Sequence, residues 1–199
     1  MADSLVVIRS GATEYDLHGR IRGRLSIPLC AAGIAETQAA AAWLAASPPT
    51  ALYTSTAACA LHASRIIGQA TGLVPRRLSH LENLDQGLWE GMLVDDIRLR
   101  QPRLYRQWQE NPWAVSPPSG ELIEDACDRV AMALEKPLRR HAAGKIALIV
   151  PEPLDRIVCW LVAGMPLGDL WSREARTRSV VEMPLKAQWS AGRVAGAVS

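Results

Sequence analysis

Short apolar runs that alternate with longer helical stretches are the feature that most limits how this chain can fold. The runs at residues 5–8, 50–54 and 145–150 are typical of buried strands, and residues 179–183 predict a late strand. Alternating strands and helices favour a mostly parallel sheet covered on both faces. We therefore predict a three-layer α/β/α sandwich formed by residues 1–199 as a single domain. The predicted helices lie at residues 31–46, 57–72, 94–109 with an interruption at Pro102, 121–141, and from 157 onward to 163.

Composition excludes several classes of protein. The chain has 199 residues and a formal net charge of +2, which gives no reason to expect nucleic acid or a membrane as partner. No apolar run approaches the roughly 20 residues of a membrane span, and the first residues do not resemble a secretory signal, so we expect a cytoplasmic protein. Because the four cysteines form no C-x-x-C pair, we expect buried, reduced thiols.

Ligand sites in parallel sheets form beyond the carboxyl ends of the strands. Three segments of this chain occupy such ends. They are Arg9-Ser10-Gly11, Thr54-Ser55-Thr56 and Pro151-Glu152-Pro153.

Five segments, in order, resemble the histidine phosphatase superfamily, whose fold is phosphoglycerate mutase-like. VVIRSGATEYDLHGRIRGRLSIPLCAAGIAE (6–36) is similar to the family's opening strand, its Arg-His-Gly motif and the G-R-x-x-G-R-L-x-I-P-L stretch that follows. The other four are ALYTSTAACALHAS (51–64), LENLDQGLWEGM (81–92), PPSGELIED (117–125) and KIALIVPEPLDRIVCWLVAGMPL (145–167). The resemblance implies a phosphatase fold over nearly the whole chain.

The resemblance also implies a set of functional positions, which this chain fills differently. In the family, the first His takes the phosphoryl group, two Arg, an Asn and a second His hold the phosphate, and an acidic residue protonates the leaving group. Only Arg9 keeps the family's residue type, at the first Arg position. The other positions hold Ser10 (nucleophile), Asp16 (Asn), Cys59 (second Arg), Asn83 (acid, with Glu82 one residue earlier) and Glu152 (second His).

Several residues carry two interpretations at this point. Arg9 is either an anion ligand or a partner of Asp16 or Glu152. Cys59 is either a reactive thiol at the start of a helix or a packed, buried residue. His62 either joins Cys59, Asp16 and Glu152 in a metal site or is a solvated side chain. Trp108 and Trp113 are core residues or anchors for a partner. The basic cluster Arg98, Arg100, Arg103 and Arg106 is expected to be a solvated helix face.

We therefore expect a catalytically inactive pseudo-phosphatase with a binding, scaffolding or regulatory role. The alternative is a divergent enzyme that uses Arg9, Asp16, Cys59 and Glu152 on a non-phosphate ligand, and a weak phosphohydrolase is the third hypothesis. We expect no cofactor and no metal. The partner is an unidentified protein or small molecule, and the resemblance allows a homodimer that no sequence feature selects.

Overall fold

A five-stranded sheet forms the centre of the protein. The computed structural model describes residues 2–141, 143–168, 170 and 179–185. The sheet has the order β3-β2-β4-β1-β5, in which β5 runs antiparallel to β1 and the other pairings are parallel. A mostly parallel sheet was predicted from the sequence, whereas the antiparallel pairing of β5 was not. The strands are β1 (Ser4–Arg9), β2 (Ala51–Thr54), β3 (Arg76–Arg77), β4 (Lys145–Val150) and β5 (Val180–Pro184).

Helices cover both faces of the sheet, so the sandwich has the predicted three layers. Side chains of β1 alternate between two cores, because successive residues of a strand face opposite sides. Val6 and Ile8 pack with residues of α2 and α3, whereas Leu5 and Val7 pack with residues of α6 and α7. The helices are α1 (Glu14–Leu17), α2 (Ala31–Ala46), α3 (Ala58–Thr71), α4 (Val94–Arg100), α5 (Pro102–Glu110), α6 (Ile123–Arg140) and α7 (Leu154–Ala163).

Most predicted boundaries agree with the structure, and the differences have local causes. Pro102 separates α4 from α5 as expected, and it occupies the first turn of α5, where a missing N–H costs nothing. Helix α7 begins at Leu154, three residues earlier than predicted, because Pro153 serves as its N-cap residue and accepts a hydrogen bond from the Arg156 amide. The two-residue β3 and the single turn α1 were missed, since both are too short for a periodic pattern.

Three chain segments meet at the carboxyl edge of the sheet. The ends of β1 and β4 lie side by side, with Arg9 paired in register with Val150, and α3 begins four residues after β2. The loop after β1 packs closely on the start of α2, where a Cβ atom on Gly33 would lie 2.0 Å from the Ala12 carbonyl oxygen.

In the described part of the chain, no helix is long and apolar enough to span a bilayer.

Candidate functional site

A small pocket lies at this edge of the sheet. It has a volume of about 110 Å³, and we call it the Arg9 pocket. Its size is that of three or four water molecules, at roughly 30 Å³ each. Its lining residues are Arg9, Ser10, Gly11, Ala12, Asp16, Arg22, Glu36 and Glu152.

Glu152 holds two arginines at the end of β4. Its Oε2 lies 3.4 Å from Nη1 of Arg9, and its Oε1 accepts a hydrogen bond from Nη2 of Arg156 at 3.1 Å. All three side chains are between 11% and 13% exposed, so the pairs are largely withdrawn from solvent. Arg9 is therefore paired with a carboxylate, one of the two interpretations that the sequence left open.

Arg22 and Asp16 form a second, more deeply buried ion pair in the same pocket. Nη1 of Arg22 donates to Oδ2 of Asp16 at 3.0 Å, and Nη2 donates to the backbone carbonyl of Glu152 at 3.0 Å. The same Asp16 oxygen accepts from the backbone N–H and the hydroxyl of Thr13, which caps α1. Burial alone would lower the pKa of Arg22, but the charges of Cys59, Asp16 and Glu152 outweigh that effect and raise it.

Ser10 meets a thiol at the position where the resemblance implies the nucleophile. Its hydroxyl donates to Sγ of Cys59 at 3.4 Å, and both residues are buried. Within the described residues, no imidazole or carboxylate bonds the Ser10 hydroxyl. A serine without a base is a poor nucleophile. Cys59 does not line the pocket; it packs behind Ser10 at the second position of α3 and is 1% exposed.

An adjoining cleft of about 330 Å³ shares Asp16, Arg22 and Glu152 with the Arg9 pocket; we call it the outer cleft. Asn83 lines the outer cleft and donates through Nδ2 to the backbone carbonyls of Gly23 and Glu152, at 2.9 and 3.0 Å. The outer cleft also contains buried polar atoms that lack a hydrogen-bond partner among the described residues. They are Nε of Arg22, Oδ1 of Asn83 and both side-chain polar atoms of Gln86.

A carboxyl group behind the pocket is strongly perturbed. Burial, and then the negative charge of Glu152, raise the pKa of Asp155 to about 7, although Arg9 and Arg156 act in the opposite direction. Asp155 is half-buried as a residue, but its Oδ1 atom is inaccessible to water and has no hydrogen-bond partner among the described residues. Because it is this atom that is desolvated, we expect Asp155 to be partly protonated near neutral pH.

A network of ion pairs fixes the loop that carries Asn83. Arg129 of α6 pairs with Glu121 at 2.6 Å and donates to the backbone carbonyls of His80, Glu82 and Asn83. Arg24 also reaches Glu121 and the Asn83 carbonyl. Glu82, the alternative acid, lies 3.4 Å from the Thr56 hydroxyl and lines neither cavity.

The structure decides several of the open interpretations. Within the described residues, no three His, Cys, Asp or Glu side chains are arranged as metal ligands, so the imagined site of Cys59 with His62 is not formed. Trp108 is a core residue that packs edge-on against Trp89, and Trp113 lies 4.7 Å from the ring of Trp160. The basic cluster is divided between α4 and α5 and is exposed, as expected. All four cysteines are buried, and none of them forms a disulfide.

Two charged residues of the pocket were missed from the sequence. Arg22 stands in the G-R-x-x-G-R motif, where a second basic residue between two glycines was the available signal. Glu36 comes from the second turn of α2 and accepts a hydrogen bond from the Ala12 amide at 3.2 Å, a tertiary contact without a local signal. Two arginines against three carboxylates give the Arg9 pocket a formal charge of minus one.

Comparisons with known proteins agree with this architecture. The model of the histidine phosphatase superfamily (branch 1) matches residues 5–191. Phosphoserine phosphatase 1 of Hydrogenobacter thermophilus is 26% identical over 169 residues, which cover 84% of this chain and 80% of that protein. Glucosyl-3-phosphoglycerate phosphatase of Mycobacterium tuberculosis is 31% identical over 129 residues, which cover 64% of this chain and 57% of that protein.

Solved structures show the same fold. A mycobacterial glucosyl-3-phosphoglycerate phosphatase in complex with VO3 superposes with a TM-score of 0.77 at 24% identity, covering 85% of this chain and 86% of that one. YhfR of Bacillus stearothermophilus gives a TM-score of 0.75 at 27% identity, covering 86% and 85%. On the strength of the family match, which spans nearly the whole sequence, the chain belongs to the histidine phosphatase superfamily, branch 1.

Proposed function

We propose that this chain is a pseudo-phosphatase: a member of the superfamily that transfers no phosphoryl group and acts by binding a protein or a small molecule. One observation carries the proposal. Both arginines of the Arg9 pocket are already paired with buried carboxylates, Arg9 with Glu152 and Arg22 with Asp16. A phosphate would have to compete with these carboxylates for the same guanidinium groups.

Electrostatics set the size of that competition. A phosphate dianion about 5 Å from one carboxylate is repelled by roughly 6–7 kcal/mol at an effective dielectric constant near 20. Each arginine at a similar distance contributes an attraction of the same size, but three carboxylates outnumber two arginines in the pocket lining. The two arginines therefore offset only part of the repulsion, and the net electrostatic energy still opposes the binding of a dianion.

The nucleophile position supports the same conclusion. Phosphohistidine chemistry requires an imidazole that can attack phosphorus, and Ser10 offers a hydroxyl bonded to a thiol. Within the described residues, no histidine lines the Arg9 pocket, and His18, which lines the outer cleft, is largely exposed.

Calorimetric titration and thermal shift with phosphate and vanadate test the proposal. We expect no rise in melting temperature that depends on Arg9 at millimolar anion. The double variant Asp16→Asn with Glu152→His removes two negative charges and should bind phosphate without hydrolysing phosphate esters, because catalytic groups that act as a unit are strongly non-additive. Binding of either anion by the natural protein that Arg9→Met abolishes would contradict the proposal.

A divergent enzyme is the second candidate, and one observation favours it. The Arg9 pocket has not closed completely, and it shares Asp16, Arg22 and Glu152 with the outer cleft of about 330 Å³. These charged side chains could bind and orient a non-phosphate ligand. Turnover of a non-phosphorylated substrate that is lost in Glu152→Gln would select this candidate. A weak phosphohydrolase is favoured only by the phosphatase names of the relatives.

A further inference from the structure

A third cavity lies at the edge of the sheet opposite to β5, and it shares no lining residue with the Arg9 pocket or the outer cleft. It is a groove of about 490 Å³ between the edge strand β3 and the C-terminal half of α6. Two residues of β3, Arg76 and Arg77, line it together with Lys136 and Arg140 of α6. We call this cavity the basic groove.

The cations of the basic groove form no ion pair with a carboxylate among the described residues. All four side chains belong to exposed residues, and within the described residues none of them lies in an ion pair. No Asp or Glu lines the groove. By contrast, Arg139, the neighbour of Arg140, pairs with Glu135 at 3.2 Å. Four like charges therefore line one cavity that has no carboxylate among its own lining residues, and together they give it a positive potential.

His141, the residue after α6, lies close enough to two of these arginines to be affected by their charges. Its Nε2 lies 2.9 Å from the hydroxyl of Tyr53, which also lines the groove. Burial, and then the positive charges of Arg76 and Arg140, lower the pKa of His141. Both arginines therefore act electrostatically at the same place, although they come from different elements.

The helix dipole accounts for only part of this arrangement. Basic residues in the last turn of a helix are stabilised by the carbonyl groups there, which is a sufficient reason for Arg139 and Arg140. It is no reason for Arg76 and Arg77, which lie on an edge strand of the sheet.

We propose that the basic groove binds a small polyphosphorylated molecule, one with at least two phosphoryl groups on an apolar or ring-shaped body. Three of its four cations are arginines, whose planar guanidinium groups bind phosphate oxygens through two parallel hydrogen bonds. Its volume lies in the usual range for small-molecule sites, roughly 300–1,000 Å³. Leu78, Met132 and Pro137 also line it and offer apolar surface to the body of the ligand.

The size of β3 argues against an acidic peptide as the occupant. A peptide that adds to a sheet edge needs a strand to pair with, and β3 has two residues. The formal net charge of +2 argues against a nucleic acid. The proposal does not depend on the pseudo-phosphatase proposal, because the two sites have no residue in common.

Isothermal titration with ATP and with inorganic tripolyphosphate, in low salt and without metal ions, tests this site. We expect both to bind the natural protein, and we expect Arg76→Gln with Arg140→Gln to weaken them at least about tenfold. The matched control is Arg100→Gln with Arg103→Gln, which removes the same charge from exposed residues of α4 and α5 and should change the affinity by less than about twofold.

Four outcomes would overturn the proposal. They are no binding of either polyphosphate at millimolar concentration, an equal loss in the control variant, a loss caused by Arg9→Met, and tighter binding of a poly-glutamate peptide than of either polyphosphate. The third would place the anion in the Arg9 pocket and would contradict the pseudo-phosphatase proposal as well. The first, second and fourth would leave that proposal intact. All variants change exposed or pocket side chains, and circular dichroism confirms that each is folded before titration.

Discussion

Arg22 donates to the carboxylate of Asp16 at 3.0 Å, and the two side chains are only 5% and 12% exposed. The pair places a cation beside the strand end where the resemblance puts the family's phosphate site. The guanidinium also bonds the backbone carbonyl of Glu152, so it connects the loop after β1 to the end of β4. The charges of the Arg9 pocket are thus held in place by one another.

Removing Arg22 should leave a buried negative charge without its partner. We expect Arg22→Met to lower the free energy of unfolding by roughly 3–5 kcal/mol, the usual cost of breaking a buried pair from one side. The double variant Arg22→Met with Asp16→Asn should recover part of the loss, because the orphaned charge is then gone. Urea denaturation of the natural protein and the two variants measures the three free energies of unfolding.

The exposed pair of Arg98 and Asp95 is the control for this series. Their side chains are 64% and 77% exposed, so Arg98→Met should cost no more than about 1 kcal/mol. Similar costs for Arg22→Met and Arg98→Met would show that Arg22 is not essential to the packing of the site.

Gly33 should tolerate no side chain, because its neighbour is backbone. A Cβ atom there would lie 2.0 Å from the Ala12 carbonyl oxygen, and the start of α2 would have to move away from the loop after β1. We expect Gly33→Ala to cost more than about 4 kcal/mol or to prevent folding. Gly72 is the contrast: it ends α3 at φ +70°, with open space around it, so Gly72→Ala should cost only about 1–2 kcal/mol. Equal thermal stability of the two variants would contradict the close contact.

Asp155 should make stability depend on pH. Its pKa is about 7 in the folded protein and about 3.9 when unfolded, so between these values the folded state keeps a proton that the unfolded state releases. This contribution is fully present below pH 4 and is lost as the pH rises through 7. Asp155→Asn cannot titrate, so its stability relative to the natural protein should increase from pH 4 to pH 7, by on the order of a few kcal/mol, and level off above.

Denaturation of both proteins at pH 4.5, 6 and 8 gives this difference directly. A difference that stays constant with pH would mean that Asp155 is ionised throughout the range. The Asp155 carboxyl would then be solvated rather than buried beside Glu152.

Cys59 should behave as a packed residue and not as a reactive thiol. It is 1% exposed behind Ser10, so a thiol reagent should modify it slowly in the folded protein, and Cys59→Ala should cost on the order of 1 kcal/mol as a small cavity. Burial raises the pKa of Cys127 and of Cys159 to about 12, so these two provide an unreactive reference within the same molecule. Labelling of Cys59 at neutral pH that is faster than that of the reference thiols would favour a catalytic thiol.

The sequence predicted the strands and helices well, because the strands are short apolar runs and the long helices are amphipathic or, in α2, rich in Ala and followed by a Pro-Pro pair. The bounds of α2 and β4 agree residue for residue, and Pro102 marked the break between α4 and α5. The site was predicted less completely. Arg9 and Glu152 follow strands and could be placed at the sheet edge, whereas Arg22 and Glu36 reach the pocket from a loop and from α2, through contacts that have no sequence period.

The basic groove could not be predicted from the sequence either. Arg76 and Arg77 lie far along the chain from Lys136 and Arg140, and only the position of β3 at the sheet edge brings them to one cavity. A two-residue strand has no periodic signal, so this juxtaposition was not visible in the sequence.

Hydrolysis of p-nitrophenyl phosphate and phosphoglycerate by the purified protein, from about pH 5 to pH 9, tests the pseudo-phosphatase proposal most directly, since histidine chemistry titrates in that range. Arg9→Ala, prepared in the same way, is the control for a contaminating phosphatase. We expect both proteins to release phosphate at the same background rate at every pH. Turnover by the natural protein that survives purification and disappears in Arg9→Ala would show that the Arg9 pocket is a working phosphatase site.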